Sequence, residues 1–213
     1  MDDPLFLEFY GVLLGDGWIG KYRYKNKITN LIGISGNSRL DREFLLNWKE
    51  HIKKLFQRNA FLKQKYDCNG IELNFCHKSL LDKLNKDLGF PIGKKIDLEI
   101  NKDIFEMGFS KVKYIIRGIF DTDGSFYLDK TPVGKPYPCI SITMKAPKLI
   151  KQMYDILIGE GFRIVYYKGK NERKDTDKIT LKGKKQLYKW MDKIGSSNPK
   201  HLNKINALVA QLG

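Results

Sequence analysis

Asp16 and Asp123 are the residues whose types and spacing suggest chemistry. Each closes an apolar run and each is followed by glycine: Phe9-Tyr-Gly-Val-Leu-Leu-Gly-Asp-Gly17 and Tyr114-Ile-Ile-Arg-Gly-Ile-Phe-Asp-Thr-Asp-Gly124. The two stretches align at a constant offset, because 118 − 11, 123 − 16 and 124 − 17 all equal 107. An offset of about half of a 213-residue chain implies two related halves that meet at the motif. Read as helices, the stretches carry small residues at i and i+4, Gly11 and Gly15 in the first and Gly118 and Thr122 in the second. Glycine inside a helix costs about 1 kcal/mol relative to alanine, and the usual compensation is close approach of two backbones. The spacing predicts a helix–helix interface through Gly11, Gly15, Gly118 and Thr122. With the helices parallel, Asp16 and Asp123 fall side by side at the two C-termini, with Gly17 and Gly124 as left-handed stops. A helix C-terminus is the negative pole of the macrodipole, and adjacent carboxylates repel. A cation is therefore expected between them. Mg²⁺, which commonly takes one or two carboxylates plus phosphate oxygens, suits the pair.

The elements that must position these acids follow from periodicity. Asp3-Pro4 predicts a helix start, and helix one runs to about Gly15. Trp18 to Lys25 and Ile28 to Ser35 read as an antiparallel pair, followed by an amphipathic helix over Leu40 to Phe56 with Leu40, Phe44, Leu45, Trp48, Ile52 and Leu55 on one face. Phe61 to Tyr66 and Ile71 to Cys76 form a second strand pair, and Leu80 to Leu88 a short helix stopped at Gly89. Residues 93 to 110 connect the halves through a helix near Asp103 to Met107. The unit then repeats: helix Lys111 to Asp121, strands Phe126 to Leu128 and Ile140 to Met144 around the loop Thr131 to Pro138, and helix Pro147 to Gly159. Strands Phe162 to Lys168 and Lys178 to Leu181 flank the loop Gly169 to Asp177, and helices follow over Gln186 to Ile194 and Leu202 to Leu212. Ile71-Glu-Leu73 and Ile179-Thr-Leu181 repeat at an offset of 179 − 71 = 108. The expected class is α+β: two pseudo-symmetric αββαββα halves, each with a curved four-stranded antiparallel sheet, packed through two parallel motif helices. The halves are 1–100 and 111–213, with a linker over 101–110.

Composition narrows the partners. Lys+Arg minus Asp+Glu is 39 − 24 = +15, which favours a polyanion. The hydrophobic fraction of 42% and the aromatic fraction of 12% argue against disorder. No apolar run approaches the ~18 residues of a membrane span, so no membrane association is expected. The acidic start Met1-Asp-Asp-Pro is unlike a signal or transit peptide, which places the expected location inside the cell. Cys68, Cys76 and Cys139 form no CxxC and read as reduced thiols.

Rival motifs fail on context. Gly15-Asp-Gly-Trp-Ile-Gly20 matches G-x-G-x-x-G, but it ends a helix and opens a strand, the reverse of the nucleotide-binding arrangement. Asp121-Thr-Asp-Gly could open a calcium loop, yet the twelfth position is Pro132 rather than glutamate. His51, His77 and His201 share no metal-ligand spacing.

The paired motifs resemble LAGLIDADG, the signature of the LAGLIDADG homing endonucleases in their single-chain, two-motif form. Ile116-Arg-Gly-Ile-Phe-Asp-Thr-Asp-Gly124 matches well. Phe9 to Gly17 matches more loosely, because Leu14 stands at the first aspartate of the motif. The resemblance implies a monomeric, divalent-metal-dependent, site-specific double-strand DNA endonuclease that leaves short 3′ overhangs. Asp16 and Asp123, with Gly15 and Thr122 beside them, would form the metal site for Mg²⁺, with Mn²⁺ or Ca²⁺ able to occupy it. Members commonly add a basic residue near each scissile phosphate. The repeat suggests Lys94 or Lys95 for one and Lys200 for the other, following Pro91 and Pro199. A polar residue at the end of the second strand of each half, which some members carry, falls near Gly36 and Met144 and is not expected here. Strand residues Lys21, Arg23, Lys25, Lys63, Lys65, Lys168, Lys182 and Lys184 are expected on free sheet faces toward double-stranded DNA. No obligate protein partner is implied. An intron-splicing maturase with an RNA partner, or a non-cleaving DNA- or RNA-binding protein, is the alternative on this fold.

Overall fold

The computed structural model describes residues 2–66, 68–129, 134, 136–169 and 176–212. Much of the loops Thr131 to Pro138 and Gly169 to Asp177 lies outside them.

Asp3 caps the first helix, α1 (Pro4–Asp16), its side chain accepting from the Leu5 amide. Strands β1 (Gly17–Tyr24) and β2 (Lys27–Asn37) follow, then helix α2 (Arg42–Phe56), strands β3 (Phe61–Gln64) and β4 (Gly70–Cys76), and helix α3 (Lys78–Lys86). A one-turn helix α4 (Lys102–Phe105) leads into α5 (Phe109–Asp123), and the pattern recurs. It continues through β5 (Gly124–Asp129), β6 (Tyr137–Met144), α6 (Pro147–Gly159), β7 (Ile164–Tyr167), β8 (Asp177–Lys182), α7 (Lys184–Lys193) and α8 (Pro199–Leu212). The two four-stranded sheets have the same antiparallel order, β1-β2-β4-β3 and β5-β6-β8-β7. Ile71 and Ile179, which repeat in the sequence, both lie buried on the inward faces of the central strands β4 and β8.

Alternation builds the core. In the first sheet Ile19, Ile32, Ile34, Ile71, Leu73 and Phe75 point inward and are buried. In the second, Phe126, Ile140, Ile142, Ile179 and Leu181 do the same. Trp48 of α2 and Trp190 of α7 close these cores under their sheets. Leu40, expected on the buried face of the second helix, is exposed. That helix starts at Arg42, so Leu40 precedes it and shares no helical face with Phe44.

The connector is fastened on both sides. Gln152 of α6 brackets the main chain of Ile100, accepting from its N–H (2.7 Å) and donating to its C=O (3.1 Å). The Tyr10 hydroxyl on α1 donates to the carbonyls of Leu88 and Glu99 at 3.4 and 3.5 Å. No helix among the described residues is long and apolar enough to cross a membrane.

Candidate active site

The α1–α5 contact sets the site. A Cβ on Gly11 would stand 2.2 Å from the Ile115 carbonyl oxygen, and one on Gly118 would stand 2.3 Å from that of Glu8. A Cβ on Gly15 would stand 1.8 Å from Thr122 Oγ1 and 2.7 Å from Asp123 Oδ2. Gly11 and Gly118 thus admit the opposite backbone, and Gly15 admits the side chains of Thr122 and Asp123. Lys111, near the start of α5, donates to the Asp2 carbonyl just before α1 (3.1 Å). The starts lie together and so do the ends, so the helices are parallel. A largely buried ion pair crosses the contact. Arg117 Nη1 lies 3.3 Å from Glu8 Oε2, and Arg117 Nε donates to the Ile194 carbonyl at 2.6 Å.

Gly17 and Gly124 do not stop the helices in the left-handed region. Their φ, ψ values are −84°, 166° and −82°, 161°, extended backbone open to any residue. Space is what excludes a side chain. A Cβ would meet Leu13 Cα at 2.4 Å in the first helix and the Phe120 ring at 2.1 Å in the second. The chain leaves each helix by folding straight back along the last turn into a strand.

At the paired C-termini, Asp16 and Asp123 are partly buried. Burial, reinforced by the Asp16 charge, pushes the Asp123 carboxyl up to about 6. Burial also raises Asp16, against the lowering pull of Lys95. Lys95 and Lys200 act on both acids. Thr122 Oγ1 bonds back to the Gly118 and Ile119 carbonyls, leaving its oxygen beside Asp123 (3.4 Å).

Geometry separates Lys94 from Lys95. Lys95 is partly buried, and its ammonium donates to the carbonyls of Leu13, Leu14 and Gly15 at the C-terminus of α1. A cation there complements the helix dipole. Burial lowers the Lys95 pKa, opposed by Asp123 and Asp16. Lys94 is exposed. Lys200, second residue of α8, pairs with Asp41 Oδ1 at 2.7 Å.

Asp121, the first acid of the second motif, is not in this cluster. It is fully buried, and burial pushes its pKa up to about 7. Its carboxyl accepts from Ser196 Oγ and from the Ser197 amide (2.8 Å), which ties the 195–198 loop to α5. Leu14 occupies the equivalent place in the first half. There it lines a cavity of about 220 Å³ with Tyr10, Leu88 and Phe90. An apolar contact stands where the second half uses a carboxylate.

The sheet faces separate the basic residues. In the first half a surface cleft of about 500 Å³ is lined by Trp18, Tyr22, Ser35, Lys63, Lys65, Glu72 and Asn74, all on the side away from the helices. Lys65 pairs with Glu72 there (2.8 Å). Lys21 and Arg23, expected on that face, share strand parity with the buried Ile19 and so point to the helix side. Lys21 pairs with Asp82 of α3 at 3.1 Å. Lys25 lies in the hairpin turn with φ 52°. In the second half Lys182 is on the free side. Lys168 shares the parity of Ile164 and Tyr166 and lines a cleft with Lys148, Lys151 and Tyr154 of α6, on the helix side. Lys184 is the first residue of α7 rather than a strand residue. Trp18, Ser35 and Asn74 face outward and belong to no motif, although their parity opposite Ile19, Ile34 and Phe75 identifies them. Strand β2 also runs to Asn37, so one second strand does end on a polar side chain. Its Oδ1 accepts from the Arg39 and Leu40 amides.

Residues 110–195 match the family of the LAGLIDADG-like domain. Similar solved structures extend the likeness to nearly the whole chain. The structure of I-DmoI in complex with DNA and Mn aligns with a TM-score of 0.63 at 18% identity, over 91% of this chain and 97% of that one. The meganuclease I-SmaMI bound to uncleaveable DNA gives 0.62 at 13% identity, over 93% and 86%. The LAGLIDADG meganuclease I-AabMI bound to uncleaved DNA gives 0.58 at 14%, over the same shares. No curated protein sequence matches the chain. Over both halves the chain shares the fold of these structures, and its second half carries the LAGLIDADG-like domain. The chain resembles the LAGLIDADG homing endonucleases over both halves, with Asp16 and Asp123 at their shared helix ends.

Proposed function

We propose that this protein is a site-specific double-strand DNA endonuclease. The observation that carries the reading is the pair Asp16 and Asp123. Two carboxylates are brought together at the negative ends of two parallel helices, where burial disfavours the charge of both and the Asp16 charge further disfavours that of Asp123. A fold that served only to bind DNA would gain nothing from that arrangement.

The donor set fits a divalent ion. The acids are hard oxygen ligands, and among the described residues no group of three or more His, Cys, Asp or Glu side chains gathers to complete a closed site. That leaves coordination positions to water and phosphate oxygens, the usual manner of Mg²⁺. Asp16 and Asp123 would hold the ion, with the main chain of Gly15 and Thr122 beside them. When bound, it supplies Lewis-acid stabilisation of the phosphoryl oxygens and a more acidic water. Structures of I-DmoI have been described with DNA and Mn, and with DNA and Ca.

The rest of the work falls to this chain's own groups. Lys95 fixes the end of α1, holding Asp16 in place and offsetting the charge of the pair. Lys200 presents an ammonium beside both acids, where charge builds on a phosphate under attack. Lys63, Lys65 and Lys182, with Trp18, Ser35 and Asn74, present phosphate-binding and base-reading groups from the free sheet faces. The chain acts as a monomer, its two halves serving one strand each.

Incubation with a randomised duplex library, with Mg²⁺ and with EDTA, followed by sequencing of cut ends, tests the reading. Defined ends with short 3′ overhangs only in Mg²⁺ are expected. No cutting alongside tight, salt-sensitive binding would replace it with a binding or maturase function.

A further inference from the structure

The Lys200–Asp41 ion pair joins residues 159 positions apart, one from each half, at 2.7 Å with both side chains largely shielded. Neither partner is free to wander. Asp41 stands between β2 and α2, and its other carboxylate oxygen accepts from the Asn37 amide at 2.8 Å. The main chain of Lys200 is fixed separately. Its N–H donates to Asn198 Oδ1 at 3.0 Å, and Asn198 Nδ2 donates to the Asp121 carbonyl at 2.8 Å. The loop leading to Lys200 is therefore anchored on α5 two residues before Asp123, while the end of the side chain is anchored on the opposite half.

That double anchoring has a consequence for the site. Asp16 feels the charges of both Lys200 and Asp41, and Asp123 feels that of Lys200. A lysine carries several rotamers, and ordering such a side chain on binding typically costs about 0.5–1.5 kcal/mol. A carboxylate that already holds the ammonium beside the acid pair removes part of that cost before any phosphate arrives. For a shielded ion pair the cost of desolvating both charges offsets much of their attraction, so placement rather than stability is the property the pair supplies.

We propose that Asp41 is a positioning residue for cleavage. It holds Lys200 of the opposite half beside Asp16 and Asp123, so that a complete site forms only when the two halves are docked. This rests on the endonuclease reading above.

The test uses the full-length protein with Asp41→Asn and Asp41→Glu. Lysine reactivity is mapped first, by brief acetylation and mass spectrometry without DNA. Lys200 should be protected in the wild type, gain reactivity severalfold in Asp41→Asn and be protected again in Asp41→Glu, with exposed Lys94 constant throughout. Single-turnover cleavage of the site recovered from the library is measured next. Asp41→Asn should slow cleavage by roughly 10²-fold, the scale of misplacing a reacting group by about 1 Å. DNA affinity should stay near wild type, and Asp41→Glu should restore most of the rate. Unchanged Lys200 reactivity in Asp41→Asn would overturn the proposal, and so would a released Lys200 with wild-type cleavage. A wild-type protein that cuts nothing under any divalent ion removes the endonuclease reading itself, and the positioning role with it. That outcome is distinct from a wild type that cuts and an Asp41→Asn variant that cuts equally fast.

Discussion

A Cβ on Gly118 would stand 2.3 Å from the carbonyl oxygen of Glu8 and 2.6 Å from the amide nitrogen of Val12. Backbone meets backbone there, so no rotamer change can make room. Gly118→Ala is expected to force α1 and α5 apart at a cost of about 1–3 kcal/mol or more. For a chain of this size that lowers the Tm by roughly 2–4 °C per kcal/mol. Gly159, in helix α6, is the control, because a Cβ added there would meet nothing within 4 Å and its φ is not positive. Gly159→Ala should be neutral or slightly stabilising, because alanine restricts the unfolded chain. Thermal unfolding of both variants checks this, and a wild-type Tm for Gly118→Ala would refute the backbone contact.

Two lysines on different strands of the first sheet should behave differently on DNA. Lys63 faces outward into the cleft beside Trp18 and Asn74, whereas Lys21 faces α3 and pairs with Asp82. Lys63→Ala should weaken DNA binding and reduce the slope of log affinity against log salt by about one. Lys21→Ala should leave that slope unchanged. Binding titrations between low and moderate salt decide it, and equal slopes for the two variants would contradict the facing assigned to β1.

What is legible in the sequence depends on range. The glycine spacing at Gly11, Gly15 and Gly118 is legible because helix geometry and the backbone-entropy cost of glycine are local. The αββαββα order is legible from periodicity and from the 107-residue offset. The facing of β1 is not settled by the alternation of Lys21, Arg23 and Lys25 alone, since either face satisfies it. The burial of Ile19 sets the parity and turns these residues toward the helices. At Gly17 and Gly124 the sequence marks a helix end, but not the turn that folds back against Leu13 and Phe120 and leaves no room for a side chain. Asp41 is legible only as the residue that precedes α2. The role proposed for it rests on a contact spanning 159 residues, which only the docking of α2 and α8 creates.

His201 gives the fold a pH dependence. Its ring is buried 4.8 Å from Phe120 and 5.7 Å from Phe126. Neither ring nitrogen makes a hydrogen bond of normal geometry among the described residues. Burial, followed by the Lys200 charge, pushes its pKa down from 6.5 to about 4. Between those values the unfolded chain binds a proton that the folded one refuses. The contribution to stability is complete above pH 6.5 and is lost as pH falls toward 4, by up to about 1.4 kcal/mol per pH unit inside the window. His201→Phe keeps the aromatic contacts and removes the titration. The Tm of the variant should exceed that of the wild type at pH 5 and approach it at pH 7.5. An identical pH profile for the two proteins would show that His201 does not titrate in this way.

The acid pair itself permits the most direct test. Asp16→Asn and Asp123→Asn keep the shape at the helix ends and remove one charge each from a site where burial disfavours charge. Each variant is to be compared with the wild type on the site recovered from the library, measuring DNA affinity and double-strand cleavage in Mg²⁺. The expected result is affinity near wild type in both variants with double-strand cleavage abolished. Double-strand cleavage at wild-type rate in either variant would contradict the assignment of Asp16 and Asp123 as the acids that hold the metal.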